Sequence, residues 1–273
     1  MSSLEPGQGP LDPDGPDRTG PAPDGPDPDD AAAEGPGPED GDDLDALRTR
    51  GRGRWILAVL LVLALVVPVS GVFVDQLDFS RSADEVQEQL GSGDPLLDAV
   101  LLVRTVRCDG QVSTGSAFAL EVDGETMIVT NRHVVDRAGS IGVRPLTGGP
   151  SERVASHRVS PTRDVAVLSL GEGVSEPTAL VAADRVATGA SIRIVGFPGG
   201  RPAASDGTIA EQVSRRILLD VSVQQGSSGS PVVNDDGEVV GQVVAQTDDG
   251  RGLALRISEV LDAARTTIPA PAC

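Results

Sequence analysis

Gln225-Gly226-Ser227-Ser228-Gly229-Ser230-Pro231-Val232-Val233-Asn234-Asp235-Asp236-Gly237-Glu238-Val239-Val240-Gly241 is the stretch on which the reading of this 273-residue chain turns. A turn of small residues runs into a β-branched segment, Asp236-Gly237 marks a hairpin, and a second apolar run follows. No helical period is present. The same pattern extends outward in both directions. Strands are predicted at Leu101–Arg107, Ser116–Val122, Met127–Asn131, Ile141–Pro145, Arg153–Val159 and Val165–Leu170, with Asp123-Gly124 as a hairpin turn. A second group is predicted at Ser191–Phe197, Thr208–Val213, Arg216–Val223, Pro231–Asn234, Glu238–Gln246 and Gly252–Ile257, with Asp249-Gly250 as another turn. Ser258–Arg265 reads as a closing helix capped by Ser258. Residues 97–273 are therefore all-β, a barrel or sandwich of two six-strand units, and two small barrels side by side would leave a cleft between them.

Upstream the composition changes. Residues 1–43 hold 10 Pro, 8 Gly and 13 acidic residues, with Leu4 and Leu11 as their only large aliphatics. Such a segment cannot bury enough apolar surface to offset its ordering entropy. Residues 1–54 are expected to be a disordered acidic tail ending in the cluster Arg48, Arg50, Arg52 and Arg54. Residues 55–74 (WILAVLLVLALVVPVSGVFV) carry no charge, and as a helix they reach the thickness of a bilayer's hydrocarbon core. Arg residues before this stretch and Asp75 and Asp78 after it place residues 1–54 in the cytoplasm and the rest outside. A cleaved signal peptide, cut near Gly71, is the alternative, and it would secrete the C-terminal part. Residues 75–96 read as a stalk with a short helix, Ser82 its cap and Gly91 its stop.

Absences narrow the chemistry. The net charge is −19, and nothing outside the Arg cluster is basic, so no nucleic-acid partner is expected. There is no Lys, which removes Walker-type phosphate loops, Schiff bases and Ser–Lys dyads. Two Cys and two His, far apart, form no zinc pattern, and neither a metal nor a cofactor is expected.

Three segments remain that could carry chemistry. His133 lies in Thr130–Val135 at a strand exit, Asp164 at the entrance of an apolar strand, and Ser228 in the small-residue turn. A serine hydroxyl needs an imidazole to take its proton, and the imidazole needs a carboxylate to fix its tautomer. Each also has a bland reading: a satisfied histidine, a turn cap (Asp136 suits that role better), a flexible serine turn. His157, in a polar run without such a motif, reads as a plain histidine. The order His, Asp, Ser excludes an α/β-hydrolase, which needs a histidine after its nucleophile, and Ser230 breaks the Gly-x-Ser-x-Gly elbow.

Together these segments resemble the chymotrypsin-like (trypsin-fold) serine peptidases. They are most similar to the bacterial HtrA/Deg and glutamyl-endopeptidase branch and its membrane-anchored actinobacterial members. Thr114–Phe118 resembles the family's GSGF strand, TNRHVV (130–135) its histidine segment and RDVAVLSL (163–170) its aspartate segment. IVGFPGG (194–200) resembles its GYPGG connector, and GSSGSPVVNDDGEVVG (226–241) its serine loop. The resemblance implies two perpendicular six-stranded antiparallel barrels over roughly residues 97–265. It implies His133 as general base, Asp164 as its orienter, Ser228 as nucleophile, and the Gly226 and Ser228 N–H groups as oxyanion hole. Ser227 stands where the family has Asn or Asp.

By the same register Ser222, Val243, Ala245 and Ala254 line the S1 pocket, with no acid at its base. That implies small or medium apolar P1 side chains on polypeptide substrates. Cys108 and Cys273, both extracytoplasmic, are expected to form a disulfide. No room remains after the closing helix for the PDZ domain of many HtrA enzymes. The expected function is a membrane-anchored, extracytoplasmic serine endopeptidase, and the alternative is an inactive peptidase-like binding or sensor module. The sequence leaves the oligomeric state open.

Overall fold

The computed structural model describes residue 76 and residues 78–273. The expected acidic tail and the apolar stretch 55–74 lie outside the described residues. Among the described residues no helix is long and apolar enough to cross a membrane.

The first barrel is built from β1 (Val100–Arg107), β2 (Val112–Val122), β3 (Glu125–Thr130), β4 (Ala138–Pro145), β5 (Glu152–Val159) and β6 (Ala166–Leu170). It runs β1-β2-β3-β6-β5-β4 and closes through β4–β1. The second is a closed barrel of β7 (Ser191–Gly196), β8 (Ala203–Val213), β9 (Arg216–Ser222), β10 (Pro231–Val233), β11 (Val239–Gln246) and β12 (Arg251–Arg256). All twelve strands pair antiparallel within their barrels. The β2–β3 turn is the hairpin signal realised: Asp123 and Gly124 both have positive φ, 56° and 85°, as a type I′ turn requires.

Each barrel has its own apolar interior. Val103, Ile128, Ile141 and Leu168 fill the first, and Ile194, Ile209, Ile217 and Val243 the second. A third cluster joins the barrels, where Phe118 and Leu120 of β2 meet Phe197, Val233 and Val239. Its contents explain why the strands flanking it read as nearly continuous apolar runs: both of their faces are covered.

Several boundaries differ from the sequence expectation. β2 and β8 begin four and five residues early, at Val112 and Ala203, because polar residues there find ladder partners on β1 and β7. The closing helix, α3, is Ile257–Arg265. Its N-cap is Arg256, the last residue of β12, so Ser258 lies inside the helix and does not cap it. A short helix α2 (Leu96–Ala99) and a two-residue strand β13 (Ile268–Pro269), paired with β5, carry no periodic signal of their own.

The segment expected as a stalk forms helix α1, residues 78–90, whose buried Phe79, Ala83 and Val86 join the inter-barrel cluster. Their spacing of four and three residues is one face of a helix. Gly91, with φ 93°, stops it, and its N–H donates to the Gln87 carbonyl. Cys108 and Cys273 are joined by a disulfide with a Cα–Cα distance of 5.6 Å, tying the C-terminus to the end of β1.

Candidate active site

The cleft between the barrels collects the three segments singled out by sequence. β3 ends at Thr130, and the chain turns through a 3₁₀ turn, Arg132–Val134, that carries His133. Asp164 precedes β6, the neighbour of β3, so the β3–β6 ladder sets the two side by side. His133 Nδ1 and Asp164 Oδ2 are 2.7 Å apart, and the His133 backbone N–H donates to Asp164 Oδ1 at 3.0 Å. Asn131, fully buried, donates from Nδ2 to the Asp164 carbonyl at 2.9 Å and holds that backbone. Sequence reasoning passed over Asn131, which gives no motif signal apart from its place before Arg132-His133.

The Asp164 carboxyl is pulled two ways. Partial burial pushes its pKa up, but the His133 hydrogen bond and charge, with backbone N–H groups of His133 and Arg132, prevail and hold it below the usual carboxylate value. The stability this shift contributes is present above the unfolded value near 3.8 and is lost only as pH falls through the lower folded value. The carboxylate is thus charged at neutral pH. The His133 side chain is about half exposed, open to the cleft from which a substrate would approach.

The serine turn enters from the second barrel. Its three hydroxyls differ in place. Ser227 is 5% exposed, and its Oγ accepts the Gln224 N–H inside the turn. Ser230 is fully buried. Ser228 alone is part exposed. The departure at Ser227 from Asn or Asp is therefore filled by a shorter side chain that still holds the turn.

The Ser228 carbonyl accepts the Ser116 N–H at 2.8 Å, docking the turn against β2. Gly115 lies between the two halves of the site. A Cβ there would stand 2.7 Å from Val134, the residue after His133, and 3.2 Å from the Ser228 carbonyl oxygen. Only a residue without a side chain lets the histidine turn and the serine turn approach this closely.

Gly226 has φ 98°, and a Cβ on it would meet the Phe197 carbonyl oxygen at 2.3 Å. Among the described residues neither the Gly226 nor the Ser228 N–H donates to a backbone carbonyl, whereas those of Ser227, Gly229 and Ser230 all do. The two donors left over are the two expected of an oxyanion hole.

The four residues expected to share an S1 pocket do not line one cavity. Ser222 borders a small cavity of about 60 Å³ together with Ser227 and Ser230. Ala245 borders a different one of about 380 Å³ beside Asp164. Val243 and Ala254 face each other across β11–β12 inside the second barrel's core. The Gln246 side chain ties two backbone segments together, its Nε2 donating to the Val223 carbonyl at 2.6 Å and the Gly250 carbonyl at 3.3 Å. Among the described residues no group of His, Cys, Asp and Glu is arranged to hold a metal ion.

The two-barrel fold and this constellation point to a class: residues 115–241 match the trypsin-like peptidase domain family. Among curated proteins it is similar to the serine protease Rv3671c of Mycobacterium tuberculosis, 29% identical over 236 residues that cover 76% of this chain and 57% of that one. The mitochondrial serine protease HTRA2 of Bos taurus is 31% identical over 159 residues, covering 53% of this chain and 34% of that one. This chain thus spans little more than half the length of the first and a third of the second. Among solved structures, the active form of the Rv3671c protease superposes with a TM-score of 0.55 at 23% identity, covering 66% of this chain and 87% of that one, and shows the shared fold.

Proposed function

We propose that the chain is a serine endopeptidase that hydrolyses polypeptides through His133, Asp164 and Ser228. The observation that carries the proposal is the 2.7 Å His133–Asp164 hydrogen bond, placed beside a turn that leaves Ser228 part exposed and two N–H groups unused. Asp164 accepts from His133 Nδ1–H, which leaves Nε2 as the basic nitrogen. His133 Nε2 takes the Ser228 hydroxyl proton as Oγ attacks the substrate carbonyl carbon. The carbonyl oxygen, now negative, accepts from the Gly226 and Ser228 N–H groups. His133 then gives the proton to the leaving amine, and the acyl group remains on Ser228. Water repeats the sequence with His133 as base and releases the acid.

Gln246, next to Ala245, ties the Val223 and Gly250 carbonyls together, and by the S1 register implied above this link limits the pocket to small or medium apolar P1 residues. Residues 55–74 anchor the chain in the cytoplasmic membrane and hold the peptidase domain outside it. The uncharged twenty-residue stretch behind four Arg, with a disulfide downstream, supports this placement.

A fluorophosphonate probe tests the chemistry. Labelling should vanish in Ser228→Ala and persist in Ser227→Ala; the reverse pattern overturns the assignment, and an unlabelled wild-type chain favours a non-catalytic module. Carbonate extraction and protease accessibility of the full chain in membranes test the anchor. Recovery in the soluble fraction, cut near Gly71, would replace it with secretion.

A further inference from the structure

The Gly226 N–H of the proposed oxyanion hole depends on how the Gln225–Gly226 peptide group is rotated, and that group and the one after it are held by one neighbouring segment. The Gln225 carbonyl accepts the Gly199 N–H at 2.8 Å. In a planar trans peptide the C=O and the next N–H point in opposite directions, so this bond turns the Gly226 N–H away from Gly199. The Gly226 carbonyl accepts from the Ser116 hydroxyl at 2.9 Å, and that hydroxyl in turn accepts the Phe197 N–H at 3.0 Å. Gly199 and Phe197 belong to the turn Phe197–Gly200, whose Phe197 carbonyl is also the atom closest to Gly226. If this turn shifts, both peptide groups lose what fixes them.

A further hold on this turn comes from the helix outside both barrels. Phe79 of α1, 5% exposed, stacks on Phe197 with ring centroids 6.1 Å apart and planes 17° from parallel. The Arg144 guanidinium of β4 lies 3.7 Å from the centroid of the Phe79 ring, so the ring is gripped from the first barrel as well. Asp78 pairs with Arg201 at 2.9 Å, just past the turn, but both side chains are about half exposed and the pair is weak. Phe79 is a buried link between α1 and Phe197.

We infer that Phe79 is a positioning residue for the oxyanion hole: by stacking on Phe197 it holds the turn that aims the Gly226 N–H into the cleft. The inference rests on the function proposed above and extends it, because it makes catalysis depend on the docking of the helix that leads back toward residues 55–74. A substrate-binding contact is not involved, so the effect falls on the chemical step.

The test uses the full chain with Phe79→Ala and, as control, Val86→Ala, an equally buried position on the same helix. Loss of one hole donor typically lowers kcat by about 10²–10³. Phe79→Ala, which leaves the donor present but unsupported, is expected to lower kcat at least about tenfold and leave KM within about threefold. It should also weaken a peptide aldehyde whose adduct places an oxyanion in the hole. Val86→Ala should leave kcat within about threefold at a temperature where circular dichroism shows both variants folded. Phe79→Leu keeps the apolar volume without the ring face and serves if Phe79→Ala fails to fold; a reduced kcat is expected there too. Equal losses in the Phe79 and Val86 variants, or an unchanged kcat in Phe79→Ala and Phe79→Leu, overturn the inference. Wild-type activity that disappears in Ser228→Ala shows in the same experiment that the proposed function stands independently.

Discussion

His133 and His157 differ in what surrounds them. His133 has its Nδ1 on a carboxylate, whereas His157 has burial alone acting on it, which lowers its pKa from the ordinary 6.5. The two histidines therefore predict different things. For Asp164→Asn, the amide presents the wrong partner to Nδ1 and disfavours the useful tautomer, so kcat should fall by roughly 10³–10⁴ with little change in KM, measured by steady-state peptide hydrolysis. For His157 the effect is on stability. The unfolded chain binds a proton at a pH where the folded chain does not, so stability present above the unfolded value of 6.5 is lost as pH falls from there toward the lower folded value. Thermal midpoints of His157→Gln should decline less between pH 7 and 5 than those of the wild type; parallel curves would refute this.

At the scale of elements, turns do most of the positioning. The Gly226 turn is shaped by a positive φ and by a Phe197 carbonyl that leaves no room for a Cβ. Gly226→Ala should displace one hole donor and reduce kcat by about 10²–10³, measured at a temperature where far-UV circular dichroism shows the variant folded. The β11–β12 hairpin contributes Gln246, whose side chain closes the space between Val223 and Gly250. Gln246→Gly should admit larger P1 side chains, read as a shifted preference in peptide-library cleavage; an unchanged profile would mean that P1 binds elsewhere. Strand positions in this part of the chain were legible because β-branched runs and Asp-Gly pairs are local signals. Gln246 was not, because its partners lie 23 residues before and 4 after, and only the barrel's closure brings Val223 within reach.

Across the whole molecule, the ends of the described chain are secured by tertiary contacts. α1 packs its apolar face into the inter-barrel cluster, and the Cys108–Cys273 bridge with β13 returns the C-terminus to the first barrel. The bridge closes a loop of 165 residues, which in the chain-entropy model stabilises by about 4–5 kcal/mol, an upper value because native strain and residual unfolded structure reduce it. Cys273→Ser should lower the urea-derived unfolding free energy by about 2–5 kcal/mol and raise the m-value, because the unbridged unfolded chain exposes more surface. A midpoint equal to the wild type's would mean that the tail carries no constraint in solution. The stalk reading missed α1's docking because Phe79, Ala83 and Val86 reveal an apolar face without revealing what covers it.

The sequence by itself determined the twelve strands and the order of the chemical segments, since each follows from neighbours within a few residues. Tertiary structure alone decided that Ser227 turns inward while Ser228 stays part exposed, that Gly226 and Ser228 keep unused donors, and that Val243 and Ala254 are core. It also decided that Phe79 reaches Phe197. These depend on which peptide faces which after two barrels close, a matter of contacts between residues scores of positions apart, to which no local periodicity is sensitive.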